Sequence, residues 1–212
     1  MAAGSAVTKA QARLDAREAP MKATRRKPLL ASLAVSLCAL AASISDAGAA
    51  VGSCEREILA AAAKYDIPAG ILYSVGLTET GRKGSLQPYA MNIEGKAYFG
   101  TNREEALRTF EVARAGGAKL IDLGCMQINH HFHGDQFASP AEMFDPRKNV
   151  EYAAAFLARL HARHETWTMA VARYHAGPNN DPAQKRYVCR VIANLVATGY
   201  GSWTPNAKQF CR

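Results

Sequence analysis

The chain has 212 residues, with 26 Lys and Arg against 18 Asp and Glu and a formal charge of +8, which is room for one domain plus a targeting segment. Seven of the basic and three of the acidic residues fall within residues 1–49, so half of the excess belongs to that segment. The remaining surplus gives no argument for a nucleic-acid partner and suits an anionic polymer.

Residues 1–49 read as an N-terminal extension and signal peptide. Lys22, Arg25, Arg26 and Lys27 form a basic region, an apolar run extends from Leu29 to Ile44, and the small residues Ala47-Gly48-Ala49 follow as a cleavage site. The run is shorter than the ~20 apolar residues of a membrane span and is interrupted by serines, so no stable membrane anchor is expected. Cys38 follows Leu37, where a lipid-modified cysteine takes a small residue, and cleaved export is the expectation. Residues 50–212 then form one domain with Cys54, Cys125, Cys189 and Cys211. An even number in an exported chain favours two disulfides, for which three pairings exist. Cys54–Cys211, tying the ends together, with Cys125–Cys189, is the pairing expected here. C-x-x-C spacing is absent, which gives no zinc framework.

Ser53 can cap a first helix with Ile58, Leu59 and Ala62 on one face. Asp66-Ile67-Pro68 ends it and opens a second, with Pro68 in the first turn. Ile71, Leu72, Val75 and Gly76 recur there at helical spacing, and Gly81 and Gly84 stop it, which leaves Glu79 in its last turn. Ala90 to Ile93 and Ala97 to Phe99 flank Glu94-Gly95 as a short hairpin. Thr101 with Glu104 predicts a capping box for a helix carrying Ala106, Leu107, Phe110 and Ala113, closed by Gly116-Gly117. Lys119 to Leu123 is a short extended run, after which the pattern is helical again. Ser139-Pro140 and Asp145-Pro146 start two helices, the second long, with Val150, Ala153, Ala154, Leu157 and Leu160 inward. Trp167 to Tyr174 is another, ended by Gly177-Pro178, and Pro182 begins the last, closed by Gly199. The fold class expected is α+β, mostly helical, in a single domain with a small β-hairpin region.

Three clusters carry chemistry. Glu79 follows an apolar helix and sits at its C-terminal end, where apolar walls and the negative end of the helix dipole both disfavour ionisation. A carboxyl still protonated near neutrality is what cleavage of a glycosidic bond requires. Gly124-Cys125-Met126-Gln127-Ile128-Asn129 follows the extended run; Gln127 offers both donor and acceptor to an amide, and Met126 an adaptable apolar contact. Tyr174, in Ala172 to Gly177, and Tyr187 can offer hydroxyls to a carboxyl or a sugar.

Together, in this order, Glu79-Thr80, Gly124 to Asn129, Tyr174 to Gly177 and Tyr187 resemble the soluble lytic transglycosylase (SLT) domain of the lysozyme-like superfamily. The similarity runs from about Cys54 to Val191 and includes Phe144-Asp145-Pro146 and Asn149-Val150. The resemblance implies a lysozyme-like fold and an enzyme that cuts the MurNAc-GlcNAc β-1,4 linkage of peptidoglycan glycan strands in the periplasm. Glu79 would be the single catalytic acid and base, with Thr80, Met126, Gln127, Tyr174 and Tyr187 binding substrate and Tyr187 bonding the carboxyl. The family needs no metal and no cofactor. Thr80 stands where Ser is usual, Cys125 where Leu is usual, and His175 where Asn is common. The Cys-Met-Gln and Tyr-His segments resemble the subgroup associated with envelope-spanning machines, flagellar or secretion, which implies such a partner.

No second acid falls in the matching motifs, and Glu94, Asp122 and Asp135 are not singled out by position. A transglycosylase does without one: the substrate's own N-acetyl group stabilises the positive centre and its C6 hydroxyl attacks, leaving 1,6-anhydromuramoyl ends. Two alternatives stand beside this: a hydrolytic lysozyme on the same fold, and a wall-binding assembly component with incidental cleavage. His130, His131 and His133 crowd together, and His161 and His164 share a helix face, but His-Glu-x-x-His is absent, so these read as surface or hydrogen-bonded imidazoles at the groove rim.

Overall fold

The computed structural model describes residues 53–212 apart from Lys83 and Pro178; the expected signal peptide lies outside the described residues. Its centre is α6 (Pro146–His164), whose start is fixed by Asp145, accepting from the Lys148 N–H, with Pro146 in the first turn. Val150, Ala153, Ala154, Leu157 and Leu160 form its inward stripe, as expected, and all five are buried. α1 (Ser53–Lys64) and α7 (Trp167–Ala176) pack on α6, and α2 (Ala69–Thr80) packs on α8 (Asp181–Ala197). Ile58 and Ala62 of α1 face inward, but Leu59 is exposed: it lies one position, about 100° of helix, past Ile58 and so off the buried stripe. α2 buries Leu72, Ser74, Val75, Gly76 and Thr80. A helix enclosed this fully has apolar residues on more than one face, and it carries Glu79 into the interior.

Several boundaries differ from those expected. Pro68 is the cap of α2 rather than a first-turn residue. Before α3 (Arg103–Ala115), Asn102 accepts from the Glu105 N–H, and the Glu105 carboxylate accepts from the Thr101 N–H. The cap is thus Asn102, one residue later than Thr101 and Glu104 suggested, and Glu105 reaches back to the residue before the cap and not to the cap itself. A short helix α9 (Pro205–Phe210), capped by Thr204, follows α8, so the helix begun at Asp181 is not the last. α4 (His130–His133) and α5 (Pro140–Met143) are single turns.

The β region is an antiparallel sheet of four strands in the order β2-β1-β3-β4, from β1 (Ala90–Ile93), β2 (Lys96–Phe99), β3 (Ile121–Leu123) and β4 (Ile128–Asn129). The expected hairpin is β1–β2. Glu94 and Gly95 both have positive φ, 48° and 86°, which matches the right-handed strand twist with a two-residue turn. The Glu94 carboxylate accepts from the Lys119 and Leu120 N–H groups at 2.7 and 3.0 Å and ties this turn to the entry of β3. β4 was not expected. Two residues carry no period of their own, and only pairing with Asp122 and Leu123 makes them a strand.

The disulfides are Cys54–Cys125 and Cys189–Cys211, not the end-to-end pairing expected. α9 folds back on α8, which brings Cys211 to Cys189, and the first turn of α1 lies against the loop after β3, which brings Cys54 to Cys125. Among the described residues no helix is long and apolar enough to cross a membrane, and no group of three His, Cys, Asp or Glu is placed to hold a metal ion.

Candidate active site

A cavity of about 1170 Å³ opens between the sheet and the α7–α8 pair. One wall carries Asn92, Glu94, Asp122, Gln127 and Asn129; the other carries Arg173, Tyr174, His175 and Arg190; Thr78 and Glu79 from the end of α2 lie between them.

Glu79 Oε1 accepts a 2.5 Å hydrogen bond from the Tyr187 hydroxyl. Burial pushes the Glu79 carboxyl up to about 7, the negative charge of Asp122 adds to this, and the Tyr187 hydrogen bond and Arg190 oppose it. A carboxyl so placed is protonated for part of the time at neutral pH and can both give and take a proton. Burial also raises Tyr187 and Tyr174 well above the ordinary phenol value, with the Glu79 charge acting in the same direction, so both remain donors. His175 stacks flat on the Tyr187 ring, with centroids 4.2 Å apart and 3° between the planes. Its imidazole is held below its ordinary value by burial and by Arg190.

The loop from Gly124 to Gln127 is shaped by a buried amide. Asn149 accepts from the Met126 N–H at 2.8 Å and donates to the carbonyls of Leu123 and Met143, each at 2.9 Å. Gly124 has φ +78°, and a β-carbon there would stand 2.6 Å from Asn149 Nδ2 and 2.7 Å from the Met143 oxygen, so only glycine fits. Thr80 donates to the Cys125 carbonyl at 2.8 Å and Tyr174 to the Met126 carbonyl at 2.9 Å. Gln127 itself takes φ +48°, rare for a side chain with a β-carbon, and its amide donates to the Ala90 and Gly124 carbonyls at 3.2 and 3.1 Å.

Of the residues singled out in the sequence, Glu79, Gln127 and Tyr174 line the cavity. Thr80, Met126 and Tyr187 do not. Thr80 is 3% exposed and its hydroxyl is spent on the loop; the Met126 side chain is in the core; Tyr187 is buried behind Glu79. In this fold the three side chains lie behind the cavity wall. Asp122 and Asn92 were missed. They are cross-strand partners of β3 and β1, and neither strand advertises which side chain meets the cavity. Asp122 is raised above the ordinary carboxylate range by burial, which a 2.6 Å bond from Asn129 Nδ2 opposes. Asn92 Oδ1 accepts no hydrogen bond among the described residues.

A cavity with a partly protonated carboxyl at its floor and amide and hydroxyl groups on its walls is suited to a polar polymer with a bond to be protonated. Residues 56–194 match the family model of the transglycosylase SLT domain. No significant match to a curated protein or to a solved structure was found. The family match covers most of the chain and every segment of the cavity, and the chain belongs to the SLT family, the lysozyme-like lytic transglycosylases that cleave the glycan strands of peptidoglycan.

Proposed function

We propose that Glu79 is the single acid and base of a cleavage that leaves 1,6-anhydromuramoyl ends. The observation that carries this is a carboxyl with its pKa at about 7, hydrogen-bonded by Tyr187 on the cavity floor. Protonated Glu79 gives its proton to the linkage oxygen between MurNAc and GlcNAc as that bond breaks. The acetamido oxygen of MurNAc stabilises the positive C1. The Glu79 carboxylate then takes the proton of the C6 hydroxyl as O6 bonds to C1, and the enzyme is returned to its starting state. Gln127 and Tyr174 on the walls serve substrate; Thr80, Met126 and Tyr187 act through the groups that they hold.

A hydrolytic reading is favoured by one observation: Asp122 is a second carboxyl on the cavity wall, and its charge reaches Glu79. An ionised Asp122 can orient water or steady the positive centre. Digestion of purified peptidoglycan by the protein and by its Glu79→Gln variant, with the released fragments weighed by mass spectrometry, separates the two. Anhydro ends made only by the unaltered protein are expected. Reducing ends would give the hydrolytic reading, and equal release by both proteins would remove Glu79 from the chemistry.

Two disulfides and the basic, then apolar, then small-residue order of residues 22–49 support export to the periplasm. The Cys125-Met126-Gln127 and Tyr174-His175 segments support service to an envelope-spanning machine, flagellar or secretion, for which cleavage would open the wall. Capture of partners from envelope extracts by the Glu79→Gln protein tests this; loss of cleavage with retained binding of a machine component is the result expected.

A further inference from the structure

Two apolar side chains stand exposed on the wall of the cavity that holds Glu79, and the chemistry above uses neither. Phe132 is 65% exposed and Leu120 44%, and both line the cavity. A lone exposed phenylalanine is ordinary on a protein surface. One inside a ligand cavity marks where apolar ligand surface comes to rest.

The single turn of α4 presents Phe132 by anchoring its neighbours. His130 packs against the Phe110 ring at 4.8 Å, and His133 against Phe156 at 5.3 Å with its Nδ1 2.9 Å from the Tyr152 hydroxyl. These histidines, three apart, face inward together. Asn129 caps the turn by accepting from the His131 N–H, and its amide donates to Asp122. The turn is thus tied to the cavity wall on both sides; His133 and Phe132 both line the cavity, and Phe132 is the more exposed of the two.

We propose that Phe132, flanked by Leu120, is a stacking platform for an N-acetylhexosamine ring of the glycan strand. This rests on the glycan reading above and adds a subsite to it. A pyranose shows C–H groups on its faces and hydroxyl and acetamido groups on its edges, so an aromatic ring takes the face while polar neighbours take the edge. Asp122 and Asn129 supply such neighbours here. Leu120 stands two residues of extended chain from Asp122, about 7 Å. In this proposal the platform serves a sugar farther along the strand than the one whose bond is cut.

The test is binding of soluble, peptide-free glycan strands of graded length to the Glu79→Gln protein, with and without Phe132→Ala or Phe132→Trp, by calorimetry. The expected result is that Phe132→Ala weakens long strands about tenfold, leaves the shortest binding strand unchanged, and is reversed by Phe132→Trp. Equal affinity with and without Phe132, or the same loss at every length, overturns the platform while strand binding by Glu79→Gln leaves the glycan reading standing. Failure of every strand to bind Glu79→Gln overturns both. Thermal melting of each variant checks the fold, which loss of so exposed a ring is expected to leave unchanged.

Discussion

At the scale of the residue, Glu79 and Tyr187 set each other's behaviour. A carboxyl raised from 4.5 to about 7 is ionised at a cost in the folded protein. That cost is absent below pH about 4.5, grows as the unfolded chain releases its proton and the folded one does not, and is complete above pH about 7. Glu79→Gln is therefore expected to gain stability over the unaltered protein across this range, by up to about 3 kcal/mol, read by urea unfolding at both ends. The same substitution is expected to lower cleavage about 10²–10⁴-fold. The Tyr187 hydroxyl favours the ionised carboxyl, so Tyr187→Phe moves the Glu79 pKa still higher. The basic limb of kcat/KM, set by loss of the acid's proton, then shifts to higher pH. A limb that stays where it was would separate Tyr187 from the titration of Glu79.

At the scale of the element, the loop between β3 and β4 depends on Asn149, which stands on α6 and satisfies three backbone groups from two other segments. Asn149→Ala leaves the Met126 N–H and two carbonyls buried without partners, and a loss of about 3 kcal/mol or more is expected in denaturant unfolding. Gly124→Ala acts on the same contact from the other side, through positive φ and the approach to Asn149, and is expected to be comparably severe; a midpoint close to that of the unaltered protein would mean that the loop can move aside. The sequence made α5 and α6 legible because each carries its own signals: Ser139 and Asp145 as capping residues, and a stripe of period 3.6 on α6. It did not mark β4, whose two residues have no signal apart from β3. It placed Thr101 and Glu104 where Asn102 and Glu105 stand at the start of α3, since these four polar residues satisfy the same spacing in two registers.

At the scale of the whole molecule, the two disulfides hold different things. Cys189–Cys211 closes 22 residues and pins α9 to α8; Cys54–Cys125 closes 71 and joins α1 to the loop that bears Gln127. In the chain-entropy model these contribute about 3 and about 4 kcal/mol. Replacement of Cys54 and Cys125 by alanine is expected to lower the melting temperature more than replacement of the other pair, and also to lower cleavage, because the loop carrying the cavity wall loses its tether. Equal melting shifts with unchanged cleavage would mean that Thr80, Asn149 and Tyr174 suffice to hold it.

The sequence by itself determined the helical α+β class, the place of Glu79 at the end of an apolar helix, and the motif order that names the family. Those are local: periodicity, caps and short motifs are written within one segment. Only the tertiary structure decided which cysteines pair, and that Thr80, Met126 and Tyr187 support the wall instead of lining it. It also decided that Asp122, Asn92 and Phe132 share a cavity with Glu79. Each of these turns on which side of a strand or helix meets another element, and that is fixed by packing between segments far apart in the chain.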